Sequence, residues 1–278
     1  MRRSLAAQIG FWVALVVLAL FVLFPLYMMI TSSLKPLSEV TLGTLYPHIV
    51  DWSPWVQMWQ TIPLGRYFIN SLIVSICATA ISLLIAIFAS YAFARLPFFG
   101  KNAFGTLILS TQMFPGVLFL LPLYLIFVVV QGWTGLPFRG TYLGLILTYL
   151  TFALPFSIWM LRGYLESVPR DLEESALVDG CTPVQSLFRV VLPVALPGVI
   201  AVGIFAFLNS WNEILFASVL TNAQTRTLSI GLQSYATQQQ VFWNQMMAAS
   251  ILATLPIVIG FLFVQRYIVQ GLTAGAVK

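Results

Sequence analysis

Six long runs without a charged residue constrain the fold of this chain more than any other feature. The runs extend from Ile9 to Ile30, Phe68 to Ala94, Asn102 to Trp133, Gly140 to Leu161, Val190 to Trp211 and Phe242 to Gln265. Each has the roughly 20 residues that an α-helix needs to cross about 30 Å of hydrocarbon. They exceed the roughly 10 alternating residues of a barrel strand, and backbone groups in lipid must bond internally. The sequence therefore predicts an all-α membrane protein with six transmembrane helices.

The composition supports this class, because 60% of the residues are hydrophobic and only 8% are charged. An average soluble domain has roughly 25% charged residues. We predict spans at about residues 9–30, 68–94, 102–130, 141–161, 190–211 and 243–265. No connecting segment is long enough to fold alone, so we expect residues 1–278 to form a single polytopic domain.

Basic residues are distributed unevenly between the two sides that this topology creates. With a cytoplasmic N-terminus, only Lys35, Arg66, Arg139 and Arg226 of the 13 basic residues lie outside. The positive-inside rule favours this orientation, and six spans return the C-terminus to the cytoplasm. The net charge of +5 follows from this topology and gives no reason to expect nucleic-acid binding.

The long loop between the fourth and fifth spans, residues 162–189, carries the densest charge in the chain. Pro169 and the acidic residues that follow it favour a helix start, and Gly180 is the expected left-handed stop. Thr182 and Pro183 give a second start signal. We predict a helix, a glycine corner and a second helix. An amphipathic loop resting on the membrane is the alternative, but such a helix is normally basic and this one is acidic.

The spacing of this loop also resembles a motif of the inner-membrane permeases of binding-protein-dependent ABC importers. The motif reads E-A-A, three residues, G, nine residues, I, one residue, L-P. The matching positions are Glu174, Ser175, Ala176, Gly180, Val190, Leu192 and Pro193. Five other segments look like the carbohydrate group, specifically the smaller six-span subunit of maltose-type systems: NSLIVS (70–75), YAFARLPFFGK (91–101), QMFPG (112–116), WNEILFA (211–217) and QRYIVQGLTAGAVK (265–278).

This resemblance implies that residues 162–189 form a cytoplasmic coupling loop that docks into a cleft on a separate ATPase. Glu174 would be the polar anchor of that contact, and Ala176 and Leu177 would supply its apolar part. Asp179 and Gly180 would shape the turn. The candidate coupling residues are therefore Glu174, Ser175, Ala176, Leu177, Asp179 and Gly180.

The resemblance further implies that this chain is one subunit of a multi-chain complex in the cytoplasmic membrane of a prokaryote. Its other members would be a second permease subunit forming a heterodimer with this chain, two ATPase subunits, and an extracellular or periplasmic solute-binding protein. ATP and Mg²⁺ would be bound by the partner ATPase, and no cofactor by this chain.

The sequence itself contains no nucleotide-binding motif. A P-loop reads GxxxxGK[ST], whereas the only Gly-Lys pair, Gly100-Lys101, is followed by Asn102 and lacks the upstream glycine. His48 is the sole histidine, and no catalytic triad or metal-ligand spacing is evident. We therefore expect a transport subunit rather than an enzyme.

A polar cluster at the outer end of the fifth span is the first hypothesis for the solute path. Ionisable residues at membrane level are costly and tend to mark function, and Glu213 is the only acid near a span. An interfacial belt with Trp at the headgroups is the alternative. Gln112 and Asn70 are further candidates, for which a hydrogen bond between helices is an equal explanation. The full candidate set is Asn209, Trp211, Asn212, Glu213, Gln112 and Asn70.

The resemblance implies a permease that moves a carbohydrate by alternating access. The same type of importer for a polyol or a glycerol phosphoester is the nearest alternative. A self-contained secondary carrier is less favoured, because the sequence shows no inverted repeat and because such a carrier would leave the acidic loop unexplained.

Overall fold

The computed structural model describes the backbone of residues 5–274 and the side chains of residues 8–265. The terminal basic residues Arg2, Arg3 and Lys278, which contribute to the predicted orientation, lie outside the described residues. The α-helices are α1 (Leu5–Ser33), α2 (Leu37–Thr41), α3 (Ser53–Thr61), α4 (Leu64–Arg95), α5 (Lys101–Ser110), α6 (Leu120–Thr134), α7 (Tyr142–Ser167), α8 (Arg170–Val178), α9 (Pro183–Ser186), α10 (Leu192–Trp211), α11 (Leu215–Leu220), α12 (Leu228–Gln233) and α13 (Trp243–Ala274). Within the described part of the chain, extended pairing is limited to one bridge between Ala236 and Val241.

Six helical segments in the described residues are long and apolar enough to cross a membrane, which confirms the predicted fold class. They are Gln8–Ser33, Leu64–Arg95, Gly116–Thr134, Tyr142–Ser167, Pro183–Trp211 and Trp243–Gln265. Prolines lie inside four of these helices, at Pro25, Pro155, Pro197 and Pro256. Because proline has no backbone N–H, the carbonyl one turn before each proline lacks its helical hydrogen-bond donor. Neighbouring groups in a bundle can donate to that carbonyl instead.

The third span differs from its prediction, because the run predicted as one helix over 102–130 is interrupted. Helix α5 ends at Ser110, and two short 3₁₀ turns, Thr111–Met113 and Gly116–Phe119, precede α6. Phe114 between them has an extended backbone, with φ −87° and ψ 131°. Pro115 explains the break, since its ring disfavours the helical conformation of the preceding residue and its nitrogen cannot donate.

The contacts divide the chain into two compact units. One contains the chain up to Gly65 together with Gly231–Leu255, and the other contains Arg66–Ile230 together with the chain from Pro256. The expectation of a single domain over residues 1–278 therefore stays a prediction. Both candidate sites lie in the second unit.

The first unit is held by buried hydrogen bonds as well as by apolar packing. The Tyr235 hydroxyl donates to the Met58 carbonyl at 2.6 Å. The Lys35 ammonium is buried and donates to the Thr44 carbonyl at 2.5 Å. Burial lowers the pKa of Lys35, and the charge of Glu39 opposes that shift. Burying an ammonium group without a hydrogen-bond partner costs free energy, and the bond to the Thr44 carbonyl offsets part of that cost.

The second unit contains two apolar clusters that position the candidate sites. One includes Leu161, Leu187 and Val191 and lies where α7, α10 and the loop between them meet. The other includes Leu145 and Phe216 and joins α7 to α11. The loop therefore packs beside the first cluster, and the polar residues that follow α10 lie beside the second.

Candidate functional site

The predicted glycine corner is present and has the hydrogen bonds of a Schellman motif. Helix α8 ends at Val178, and Gly180 takes the left-handed conformation with φ +88°. The Cys181 amide donates to the Ala176 carbonyl at 3.0 Å, and the Gly180 amide donates to the Leu177 carbonyl at 3.1 Å. These two bonds satisfy carbonyls that a helix end leaves free, so the corner is rigid.

The second helix start is also confirmed, and it forms a complete capping box. The Gln185 amide donates to the Thr182 hydroxyl at 3.3 Å, and the Thr182 amide donates to the Gln185 side-chain oxygen at 2.9 Å. Reciprocal bonds of this kind satisfy two amides at a helix start. The corner and the capping box together tie the loop into one defined shape.

A π-helical turn at Leu187–Val191, which the sequence did not indicate, joins α9 to α10. The Leu192 amide bonds to the Leu187 carbonyl, five residues back. Pro193 follows directly and cannot donate to a carbonyl of the preceding turn. Insertions of this type are often found at functional sites, and this one lies where the loop enters the fifth span.

The two neighbouring glutamates of α8 point in different directions. Glu173 is buried, whereas Glu174 is exposed. Ala176 is also buried, at 7% exposure, because α8 packs against α9 and the π-helical turn. The Ala176 methyl group therefore packs inside this chain, and its role in the contact with a partner stays a prediction.

The outward residues of α8 and its corner form a mixed acidic and apolar surface, which we call the α8 face. It consists of Glu174, Ser175, Leu177, Val178 and Asp179, all of them exposed. Val178 is 88% exposed and Leu177 41%. The Ser175 hydroxyl is engaged locally, because it donates to the Asp171 carbonyl at 2.7 Å. Val178, which the prediction did not include, therefore adds exposed apolar area to the α8 face.

Glu173 forms a buried polar cluster with the end of the second span. Its carboxylate pairs with the Arg95 guanidinium, with 2.8 Å between Oε2 and Nε, and accepts a hydrogen bond from the Tyr91 hydroxyl. Arg95 Nη2 also donates to the Val168 carbonyl at 2.8 Å. We call Tyr91, Arg95, Val168 and Glu173 the Arg95 cluster. Sequence reasoning missed it, although Arg95 is the only charged residue in the last turn of α4.

A second candidate site is a cavity of about 270 Å³ at the end of the fifth span. Three elements meet there: the break in the third span, the middle of α7, and the segment from the end of α10 to α11. The cavity contains three of the predicted solute-path residues, Gln112, Asn209 and Glu213. Its other lining residues are Gly116, Tyr149, Phe152, Ala153, Phe156, Phe205, Ser210 and Phe216.

The polar groups of this cavity come from Glu213, Tyr149, Ser210 and the side-chain amides of Gln112 and Asn209. Glu213 accepts the amides of Phe216 and Ala217 at 2.8 and 3.0 Å, and thus caps the start of α11. A carboxylate has about four acceptor sites, so further donors can still be bound. The buried Tyr149 hydroxyl lies in the same cavity as the Glu213 carboxylate and interacts with it.

Aromatic rings form most of the remaining wall. Phe156 and Phe205 stack with 3.8 Å between ring centroids, and Phe152 lies 4.8 Å from Phe216. Mostly apolar walls with a few placed polar groups are typical of small-molecule sites. The arrangement suits a ligand that has both an apolar face and several hydroxyl donors.

The remaining predicted solute-path residues do not line this cavity. Trp211 is buried between Phe68 and Phe207, and the Asn212 amide donates to the Leu208 carbonyl of its own helix at 3.0 Å. Their prediction rested on proximity in sequence, but successive residues of a helix point about 100° apart.

Asn70 also lies outside this cavity, and its buried side chain makes hydrogen bonds that link separate segments of the chain. It donates to the carbonyls of Gln224 and Arg226, each at 2.8 Å, and accepts the Tyr142 hydroxyl at 2.6 Å. These bonds agree with the alternative explanation, a hydrogen bond between helices, and the solute-path role of Asn70 stays a prediction. Over the described residues, no group of three or more potential metal ligands is found.

The chain is similar to known transport proteins over most of its length. Residues 82–274 match the family described as "Binding-protein-dependent transport system inner membrane component". The chain is 37% identical over 281 residues to the diacetylchitobiose uptake system permease protein DasC of Streptomyces coelicolor, covering 100% of both chains. It is 34% identical over 277 residues to the trehalose transport system permease protein SugB of Mycobacterium tuberculosis, covering 98% of this chain and 99% of the relative.

A solved structure has the same fold at lower sequence identity. It is a bacterial ABC transporter involved in the import of the acidic polysaccharide alginate. The TM-score is 0.80 at 20% identity, over 96% of this chain and 99% of that chain. The arrangement of helices is therefore shared, while the side chains of the two candidate sites have to be judged in this chain alone.

Proposed function

We propose that this chain, which belongs to the family of binding-protein-dependent transport system inner membrane components, is the permease subunit of an ATP-driven carbohydrate importer. The observation that carries the coupling part of this proposal is the α8 face. It projects from a short helix that is closed by a Schellman motif and followed by a capping box. A helix of two to three turns is marginal alone, so a partner surface is expected to cover its outward side.

The partner that best fits the α8 face is a separate ATPase subunit with a basic and apolar cleft. Glu174 supplies a charge for a basic partner residue, and Leu177 and Val178 supply apolar area. Charge pairs at the centre of an interface contribute more when water is excluded around them. ATP-driven closure of two such ATPase subunits would then move α8 and open the permease alternately to the two sides.

This proposal assigns α8 and both termini to the cytoplasmic side, as the positive-inside rule predicts. It also includes a second permease subunit and a solute-binding protein on the opposite side. The family description supports the solute-binding protein. Helix α1 has no buried residue over its most apolar window, which leaves its surface available to lipid or to the second permease of this proposal.

A carbohydrate is the solute class that the relatives and the cavity support together. The named relatives belong to systems for diacetylchitobiose and trehalose, and the cavity combines stacked Phe rings with the Glu213 carboxylate. A glycerol phosphoester fits less well, because the described lining includes Glu213 but no Lys or Arg. A phosphate bound there would lie beside the negative charge of Glu213, with no Lys or Arg side chain in the lining to neutralise it. We therefore assign Gln112, Asn209 and Glu213 to the solute path.

The coupling proposal is tested with the complete complex in liposomes, by measuring solute uptake and ATP hydrolysis together. Glu174→Lys should leave the permease folded, since the side chain is exposed, but should reduce uptake at least about tenfold, which corresponds to 1.4 kcal/mol of lost coupling. Glu166→Lys reverses an exposed charge on α7 and is the matched control, expected to keep near-normal uptake.

Two results would contradict this proposal. Full uptake by Glu174→Lys would exclude the α8 face as the coupling surface. Downhill movement of solute by the purified chain alone would favour a self-contained carrier over a subunit of an ATP-driven importer.

A further inference from the structure

We infer that Arg95 and Glu173 are positioning residues that fasten α8 to the end of the second span, so that any displacement of α8 is transmitted directly to α4. This inference rests on the proposed function, because it describes how a motion received at the α8 face would enter the membrane. It concerns the inward side of α8, opposite the face that we assign to the ATPase.

The geometry of the Arg95 cluster supports a rigid connection between three elements. Arg95 is the last residue of α4, Glu173 lies in the first turn of α8, and Val168 caps the end of α7. One guanidinium contacts both of the others, at 2.8 Å in each case. The contact with Glu173 is an ion pair without a hydrogen bond from Nε, whereas the contact with Val168 is a hydrogen bond from Nη2. Because these two contacts come from different nitrogens of one planar group, they hold it between the two partners.

The second contact of Arg95 lies where α8 would otherwise hinge. Val168 separates α7 from α8 and has an extended backbone, with φ −74° and ψ 125°. Pro169 follows, so the junction lacks one backbone donor. By binding the Val168 carbonyl, Arg95 fixes the junction itself as well as the helix beyond it.

Burial distinguishes this ion pair from an ordinary surface pair. The side chains of Arg95 and Glu173 are only 7% and 10% exposed, and Tyr91 and Val168 belong to the apolar cluster around them. Exposed pairs contribute little, whereas breaking a buried pair leaves a charge without compensation. Separating α8 from α4 would therefore be costly, and the two helices are expected to move together.

The same region offers a natural control in the pair formed by Arg162 and Glu166. These side chains are 2.7 Å apart, but they are 31% and 45% exposed and lie one turn apart on α7. This pair joins no two elements. Removing it changes the charge of the region in the same way without loosening α8.

The test uses the complete complex in liposomes and measures the number of ATP molecules hydrolysed per solute taken up. Glu173→Gln should raise that ratio about tenfold, and Glu166→Gln should keep the wild-type ratio. Arg95→Lys keeps the charge for Glu173 but loses the second nitrogen, which donates to the Val168 carbonyl, so it should also raise the ratio while disturbing assembly less. Amounts of assembled complex are measured by co-purification, and both rates are normalised to them.

The ratio separates a connecting role from a purely structural one. If the cluster only stabilises the fold, uptake and ATP hydrolysis should fall together and the ratio should stay constant in Glu173→Gln and in Arg95→Lys. That result would overturn the inference. Where Glu173→Gln fails to assemble, the ratio of Arg95→Lys alone decides. A wild-type complex without ATP-driven uptake would overturn the proposed function and this inference with it.

Discussion

Substitution of Gly180 gives the sharpest prediction for the coupling loop, because its energetic cost can be assigned to the backbone alone. Gly180 has φ +88°, and no heavy atom lies within 4 Å of a Cβ built there. A side chain therefore meets no neighbour, and the cost is that of the left-handed conformation, about 1–2 kcal/mol for Ala. This lowers the equilibrium constant between the formed and the unformed corner about 5- to 30-fold.

The cost should rank the substitutions in a definite order. Asn enters the left-handed region readily, so Gly180→Asn should be mild and Gly180→Ala intermediate. Gly180→Val should be the most damaging, because β-branched residues are true outliers at positive φ. We expect solute uptake by the reconstituted complex to fall in this order while membrane insertion stays normal.

Gly163 provides the matched control for this series. It lies within α7, and no heavy atom approaches a built Cβ within 4 Å. Ala is favoured over Gly inside a helix by roughly 0.5–1 kcal/mol, so Gly163→Ala should keep full uptake. If Gly180→Asn were as damaging as Gly180→Val, or Gly163→Ala as damaging as Gly180→Ala, the corner would not be the cause.

Two further predictions concern single buried groups. Tyr149→Phe removes the hydroxyl that faces Glu213 in the cavity, so uptake should fall several-fold because the solute loses a hydrogen bond. The free energy of unfolding should change by no more than one hydrogen bond contributes, about 1 kcal/mol; a larger loss of stability with normal uptake would contradict the assigned role. Burial lowers the pKa of Lys35, so the folded protein releases this proton at a lower pH than the unfolded chain does. The free energy of unfolding should therefore rise with pH between the pKa of the folded state and the unfolded value of about 10.4. Lys35→Met should remove this part of the pH dependence, and identical unfolding curves of the two proteins from pH 8 to 10.5 would contradict the shift.

The coupling loop could be predicted almost completely from sequence because its structure is local. Gly180 closes a helix through bonds that span at most five residues, and Thr182 opens the next helix through bonds to Gln185. The interruption of the third span was equally local and Pro115 signalled it, but a continuous apolar run obscured it. The π-helical turn before Pro193 had no comparable signal.

The solute cavity was predictable only in part. Gln112, Asn209 and Glu213 are polar residues in apolar surroundings and could be noticed one by one. Tyr149 and the stacked Phe rings are ordinary residues of membrane helices, and nothing in their sequence neighbourhood marks them. They become part of a site because α7, α10 and the broken third span meet there, which depends on contacts distant in sequence.

Six apolar spans and the glycine corner follow from the sequence, although the break in the third span does not, because hydropathy acts on each segment separately and capping acts between near neighbours. The tertiary structure decided the roles of Glu173 and Glu174. The two carboxylates are chemically identical and adjacent, yet their positions differ by about 100° around α8. The packing of α8 brings Glu173 to Arg95, where it is buried, and leaves Glu174 exposed. Only the arrangement of α4 beside α8 makes that distinction, since a buried carboxylate requires a partner that the local sequence does not contain.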